Sequence, residues 1–514
     1  MCPHLNWRTF LKVLIHCGAT TIVFYTGIYF LRTSRLILGL FVLLLITDLF
    51  SRLSYDAALT ITIWMSLFNA PKSEAISFLS ENIPLITFSA ILTCCLVFLR
   101  PPELKKPIVK TITIFSFSYM LLPTLFSYQS LFLTEGYQTH VNQSRAMRTS
   151  EYLIDLEHIA LDIAWRLPIV ESIIGILHTA GHMQPAITKK KTTHWLNVKQ
   201  KDNVPNLLVL VIGESMRADH LALYGYSKPT TPQLSLLTDE LNVYKNAYSA
   251  GTSTWNSVPA ALTWNSDISG PDLSIIKLAQ AVGYKVHWLS NQRPYETWGI
   301  TVTAISKQAD IQTYISKNAS SQQLDGALLP YFDKILEERN PEDKDLLIVH
   351  LYGSHLTFSD RYPQDFDIFQ RSNYMASEAA IVPPYDNSIL YTDYILSRLI
   401  SKLKPFGGGL IFFADHGLAD KRSPIPLKHD VRANVSLNSL HVPLLTAGPN
   451  RNTLPDQSTY SLYYFPCLFS AWSGIEATQL GNADQCTNAL STDIISYLGA
   501  DLTLKQVPAP NQLN

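Results

Sequence analysis

The stretch LLVLVIGESMRADHLALYGY, Leu207–Tyr226, decides the fold. An unbroken apolar run from Leu207 to Ile212 ends at Gly213, and a knot of polar residues follows at once: Glu214, Ser215, Arg217, Asp219 and His220. A short apolar run closed by a glycine has the pattern of a strand covered on both faces, as in a parallel sheet. Ligands of open parallel sheets bind outside the carboxyl ends of the strands. The polar knot therefore stands where a site is expected, with Glu214 the first side chain past the strand.

Beyond Val204 similar runs recur: YKVHWLS, DLLIVHLYG, GLIFFAD and VPLLTAG. Helical stretches separate them, among them Pro271–Val282, Leu324–Arg339 and Asn387–Leu403. This alternation predicts a mainly parallel sheet with helices on both faces. Just past the strand ends stand Asn291, His355, and the neighbours Asp415 and His416, with Lys428 and His429 further on. Alone, a strand-end carboxylate is more simply a helix cap, and a lone histidine belongs to the core or the surface. Converging on one sheet edge, a carboxylate, an Asp-His pair and further histidines form an oxygen and nitrogen donor set suited to zinc.

A nucleophile candidate lies in AGTSTWNSVPAAL, Ala250–Leu262. A turn of small and hydroxyl residues leading into a helix presents backbone N–H groups to a phosphate. A metal ion on the Thr254 hydroxyl would lower its pKa and make it a nucleophile at neutral pH. An ordinary capped helix start needs the same residue types, and spacing leaves both readings open.

The first part of the chain reads differently. Hydrophobic residues make up 47% and charged residues only 16% of the 514, which points to a membrane part fused to a water-soluble one. Candidate spans are Phe10–Leu31, Leu36–Phe50, Ala57–Leu67, Ile83–Leu99 and Ile108–Phe126, the second and third short for a bilayer. Arg8, Lys12, Arg52, Arg100, Lys105, Lys106 and Lys110 fall at one set of ends; Arg32, Arg35 and Lys72 fall at the other. Positive charge favours the cytoplasm, so the carboxy-terminal part is expected on the far side. The domains expected are 1–128 with five membrane helices, 129–203 with amphipathic linker helices at the membrane surface, and a catalytic domain at 204–514. A net charge of -1 without a basic stripe gives no sign of nucleic-acid binding. Cys467 and Cys486 fall in the exported part and could pair; Cys2, Cys17, Cys94 and Cys95 lie in or beside the apolar segments.

The segment VIGESMRADHLALYGYSKPTTPQL resembles the signature of bacterial phosphoethanolamine transferases, as do GTSTWNSVP, HLYGSH, YDNSILYTDYIL (Tyr385–Leu396) and ADHG. The resemblance covers most of the chain. It implies an inner-membrane, multi-pass enzyme with five spans and a periplasmic α/β/α sandwich of the alkaline phosphatase/sulfatase type. It implies Thr254 as nucleophile, and zinc, one ion with room for a second, on Glu214, Thr254, Asp415 and His416. His355 and His429 would hold the phosphoryl group or a second metal, Asn291 joins them on the substrate side, and Ser215 is positional. The donor would be phosphatidylethanolamine, and the acceptor a lipopolysaccharide, lipid A or envelope glycan. The protein would work as a monomer at the lipid bilayer.

Two departures stand out. Relatives often bracket the nucleophile turn with cysteines, where this chain has Ala250 and Ala260, so packing of Trp255 beside Val258 and Pro259 is expected to hold the turn. The usual glutamate after Asp-His-Gly is Leu418. A sulfatase activity would need Cys/Ser-x-Pro-x-Arg, but Ser257-Val258-Pro259-Ala260-Ala261 lacks the arginine. A glycerol-phosphate transferase or phosphodiesterase of the same superfamily is the nearest alternative, and an inactive membrane scaffold the remaining one.

Overall fold

The computed structural model describes residues 194–510 except 203, 265–271, 295–299, 317–322, 376–377, 379, 420–426, 431–434, 455–458, 482–485, 487–493 and 501, together with Thr87. Apart from Thr87, the expected membrane spans lie outside the described residues, as does nearly all of the expected linker. The chain divides into two compact units, Met1–Trp64 with Ile76–Ala180, and Met65–Ala75 with Gly181–Asn514. Among the described residues no helix is long and apolar enough to cross a membrane.

An eight-stranded sheet forms the centre of the second unit. Its strands are β1 (Leu207–Gly213), β2 (Leu241–Tyr248), β3 (Lys285–Ser290), β4 (Ile311–Tyr314), β5 (Asp345–His350), β6 (Gly409–Ala414), β7 (His441–Ala447) and β8 (Tyr460–Ser461). Across the sheet the order is β4-β3-β5-β1-β6-β7-β2-β8. Strands β4, β3, β5, β1 and β6 pair in parallel. Strand β7 alone runs against its neighbours β6 and β2. The expected parallel sheet is thus mainly parallel and mixed.

Every residue of β1, β5 and β6 is buried, because both faces of these central strands are covered. Each fully buried Val, Leu or Ile favours the fold by about 1.5–3 kcal/mol. That sum opposes the several kcal/mol per ion needed to bury charge at the strand ends. Strand register then decides which charges meet. Ile212 pairs with His350 and Gly213 with Ala414, so Glu214 and Asp415 emerge side by side.

Helices of this unit include α1 (Thr254–Leu262), α2 (Ile275–Gln280), α3 (Leu329–Glu338), α4 (Val382–Leu403) and α5 (Phe465–Ser473). Helix α4 begins earlier than the expected Asn387. Pro383 and Pro384 occupy its first turn, where no intrahelical donor is lost. Strand β2 was not expected, since its alternation is broken by a register shift between Tyr244 and Ala247. A two-stranded antiparallel ribbon, β9 (Ile494–Leu498) with β10 (Leu504–Pro508), lies beyond α5. Cys467, on α5, is disulfide-bonded to Cys486.

Candidate metal centre

Glu214 sits at the end of β1 with 1% of its surface exposed. Its Oε2 accepts hydrogen bonds from Thr254 Oγ1 and from Gln292 Nε2, both at 2.8 Å. Its Oε1 accepts from Ser215 Oγ at 2.5 Å and lies 3.4 Å from His416 Nε2. Gly353, at φ +40°, packs under it: a Cβ there would come within 3.1 Å of the Glu214 Cβ, N and O. Positive φ and close approach together require glycine at that point.

Asp415 and His416 follow β6 and are fully buried. Asp415 Oδ1 accepts from the backbone N–H groups of Ser215 (3.0 Å) and His416 (2.7 Å). Among the described residues its Oδ2 has no hydrogen-bond partner, and it lies 3.6 Å from His416 Nε2. His416 Nδ1 donates to the Gly417 carbonyl at 2.7 Å, which fixes the ring and directs Nε2 toward the carboxylates. One donor atom each from Glu214, His416 and His429 lies within 4.8 Å of the others.

The electrostatics of the cluster are lopsided. Burial pushes the Glu214 carboxyl upward, but His416, by hydrogen bond and charge, and His355 outweigh it and hold it well below the usual range. Asp415 is pushed up to about 7 by burial and by the charge of Glu214. Burial would lower His416, yet Asp415 and Glu214 raise it to about 9. His429 is driven down to about 3 by burial, with His416 and His355 adding to it. Two carboxylates thus compete for the positive charge of one imidazole. A divalent cation held here would supply the missing charge and let both carboxylates ionise beside a neutral His416. The orphaned Asp415 Oδ2 is the atom such an ion would satisfy, so the residues present fit a zinc-type site.

Thr254 opens helix α1, its Oγ1 3.4 Å from His416 Nε2 as well as bonded to Glu214. The turn before it is held by Asn256. Asn256 Oδ1 accepts from Thr252 N, Ser253 N and Ser253 Oγ at 3.0–3.1 Å, and its Nδ2 donates to the Leu498 and Gly499 carbonyls. Ser253 and Asn256 complete a reciprocal capping box. Trp255, expected to be the packing anchor, is only half-buried. Polar bonds from the next residue also hold the turn.

His355 follows β5; its Nδ1 bonds the Leu356 carbonyl at 2.7 Å, and its ring lies 6.4 Å from that of His429. The His429 ring is in turn 4.9 Å from that of His416. Asn291 is tied to neighbouring loops. Fully buried, it donates to Asp325 Oδ1 at 2.7 Å and to the Gln323 carbonyl, and accepts from Ser316 Oγ. Asp325 in turn accepts from the backbone N–H groups of Tyr352 and Gly353, so Asn291 braces the loop that carries His355. Its neighbour Gln292 reaches Glu214, a role sequence reasoning missed and only the strand-end position could have suggested.

The rest of the polar knot is structural. Arg217 is buried, pairs with Asp219 through Nε (2.8 Å) and Nη2 (2.6 Å), and donates to the Leu418 carbonyl at 3.2 Å. His220 Nδ1 lies 2.7 Å from Asp386 Oδ1, and Tyr226 and Tyr374 donate to the other Asp386 oxygen. Ser215 takes the left-handed conformation at φ +56°, which turns the chain so that Glu214 faces the cluster while its own hydroxyl supports that carboxylate.

Residues 206–474 match the family model described as Sulfatase. YhbX of Escherichia coli (strain K12) is 31% identical over 308 residues, 58% of this chain and 54% of that protein. Phosphoethanolamine transferase EptC of the same strain is 34% identical over 236 residues, 42% of this chain and 40% of that protein. The match therefore spans about half, or less, of these curated relatives. The crystal structure of the C-terminal periplasmic domain of EptC from Escherichia coli aligns with a TM-score of 0.53 at 25% identity, covering 63% of this chain and 98% of that one.

Proposed function

The chain belongs to the sulfatase family, and we propose that it is a zinc-dependent phosphoethanolamine transferase of the bacterial inner membrane, acting as a monomer with its catalytic domain in the periplasm. The observation that carries this reading is the placement of Thr254, whose hydroxyl bonds Glu214 at 2.8 Å and faces His416 at 3.4 Å. A hydroxyl at a helix start beside paired carboxylates and imidazoles is arranged for phosphoryl transfer through a covalent intermediate. The relatives named phosphoethanolamine transferases supply the group transferred.

In the first half-reaction Thr254 Oγ1 attacks the phosphorus of phosphatidylethanolamine, and the bond from phosphorus to the diacylglycerol oxygen breaks. The proton lost by Thr254 balances the one gained by the departing diacylglycerol. In the second, a hydroxyl or phosphate oxygen of an envelope glycolipid or glycan, such as lipid A or the lipopolysaccharide core, displaces Thr254 from phosphorus, and a proton returns to Thr254 Oγ1. Zinc held by Glu214, Thr254, Asp415 and His416 would lower the hydroxyl pKa and offset charge on the phosphoryl oxygens. Glu214 orients the nucleophile by accepting its hydrogen bond, and lies on the path its proton takes. His355 and His429 stand on the substrate side, where they hold the phosphoryl group or a second metal ion.

The test is mass spectrometry of the full-length protein incubated with vesicles containing phosphatidylethanolamine. A phosphoethanolamine adduct on Thr254, passed to envelope glycolipid on addition, is expected. Release of free phosphoethanolamine without acceptor modification would mark a phosphodiesterase instead.

A further inference from the structure

Helix α4 carries a row of polar residues that are buried and far in sequence from the centre. Two of them reach it through backbone. Tyr385, with no exposed surface, donates its hydroxyl to the Ser215 carbonyl and accepts from the Arg217 N–H, both at 2.8 Å. Its oxygen therefore bridges the turn just past Glu214. Ser388 Oγ lies 2.8 Å from Ser354 Oγ and also bonds the Tyr385 carbonyl at 2.6 Å. Ser354 N donates to the Glu214 carbonyl at 3.1 Å. The helix thus grips the turn after β1 and the turn after β5, which touch each other where Gly353 packs on Glu214.

We propose that Tyr385 and Ser388 are positioning residues that hold Glu214 in its metal-facing pose. This rests on the reading of the cluster as a metal centre. A buried tyrosine hydroxyl needs a partner in any core, but here both partners are backbone groups of one strained turn. Ser215 occupies a conformation that residues with a Cβ rarely adopt. Without the bridge, the turn is free to relax toward φ below zero, and that rotation carries the Glu214 carboxylate away from His416 and Thr254. Phenylalanine would fill the same space and lose only the bridge, so the role is separable from packing.

The test uses full-length wild type, Tyr385→Phe and Ser388→Ala, purified in detergent, with two readouts. Zinc affinity is measured by competition with a chromophoric chelator, and hydrogen exchange of the Glu214–Ala218 turn is followed in metal-free protein. Loss of a group that orients a metal ligand typically weakens metal binding about 10–100-fold, and a loss in that range is expected for Tyr385→Phe, with a smaller loss for Ser388→Ala. Exchange at Ser215–Arg217 should quicken while that of Leu346–Val349 in β5 stays unchanged. Zinc affinity within twofold of wild type for both variants would overturn the proposal, even with faster exchange, because the bridge would then serve stability alone. If wild type itself takes up no zinc, the metal reading fails, and unchanged exchange in Tyr385→Phe would separately show that the helix does not hold the turn.

Discussion

Asn256 Nδ2 donates to the Leu498 carbonyl at 3.1 Å and so fastens the turn before Thr254 to the carboxy-terminal ribbon. The same side chain gathers the Thr252 and Ser253 N–H groups on its oxygen. A turn without bracketing cysteines is thereby fixed on both sides by one buried amide.

Asn256→Ala strands several buried donors and acceptors at once, and stability should fall by about 2–3 kcal/mol. Trp255→Ala should cost less, because Trp255 is half-buried. Denaturant titration of both variants checks the order, and the reverse ranking would return the anchoring role to Trp255.

Thr254→Ala should eliminate the covalent phosphoethanolamine adduct. Ser215→Ala should leave it detectable at a reduced rate, since its hydroxyl bonds Glu214 Oε1 and not the Oε2 that Thr254 bonds. Peptide mapping that placed the adduct on Ser215 would reverse these roles.

Removing zinc with a chelator should abolish transfer, and zinc added back should restore it. Asp415→Ala and His416→Ala should each lower metal content as well as rate, because a buried partner carboxylate or imidazole is then left unpaired. Elemental analysis beside the activity assay decides; full activity in metal-free protein contradicts the site.

Reduction of Cys467–Cys486, which closes a loop of sequence separation 19, should lower stability by about 3 kcal/mol in the chain-entropy model. Transfer at moderate temperature should survive, since among the described residues neither cysteine is hydrogen-bonded to Glu214, Thr254, Asp415 or His416. Activity and melting temperature, measured with and without reductant, separate the two effects.

Asp345 gives a pH signature away from the centre. Burial would raise its carboxyl, but His287 at 3.2 Å and Arg339 at 3.1 Å hold it below the usual value. A group depressed in the folded state binds its proton more readily when unfolded. Its contribution is complete above the unfolded carboxylate pKa of about 3.9 and is lost as pH falls through the lower folded value. The stability gap between wild type and Asp345→Asn should be largest at neutral pH and close in acid; a gap independent of pH would show that Asp345 acts through packing alone.

Much of the site was legible in sequence because β1, β5 and β6 are apolar on both faces and end abruptly in chemistry. Glu214, Asp415 and His416 announce themselves by position. Gln292 and Tyr385 do not, since a glutamine past a strand and a tyrosine on a helix have many ordinary uses. Their roles depend on distances between segments that periodicity does not encode. Asn291 was expected on the substrate side from the resemblance; that its amide donates to Asp325 and Gln323 is likewise set by distances between segments. Strand β2 escaped because the register shift between Tyr244 and Ala247 breaks the period-two signal.

The bond from Ser215 N to Asp415 Oδ1 joins residues 200 positions apart. Contacts of such separation form late, after long loops have closed. A nascent chain that has emerged as far as helix α4 holds Glu214, Thr254 and the clamp of Tyr385, but not one residue of the Asp415-His416 pair. Half a ligand set binds a metal ion loosely and unselectively. A metal ion held by this cluster would therefore be captured late, only after β6 has paired with β1.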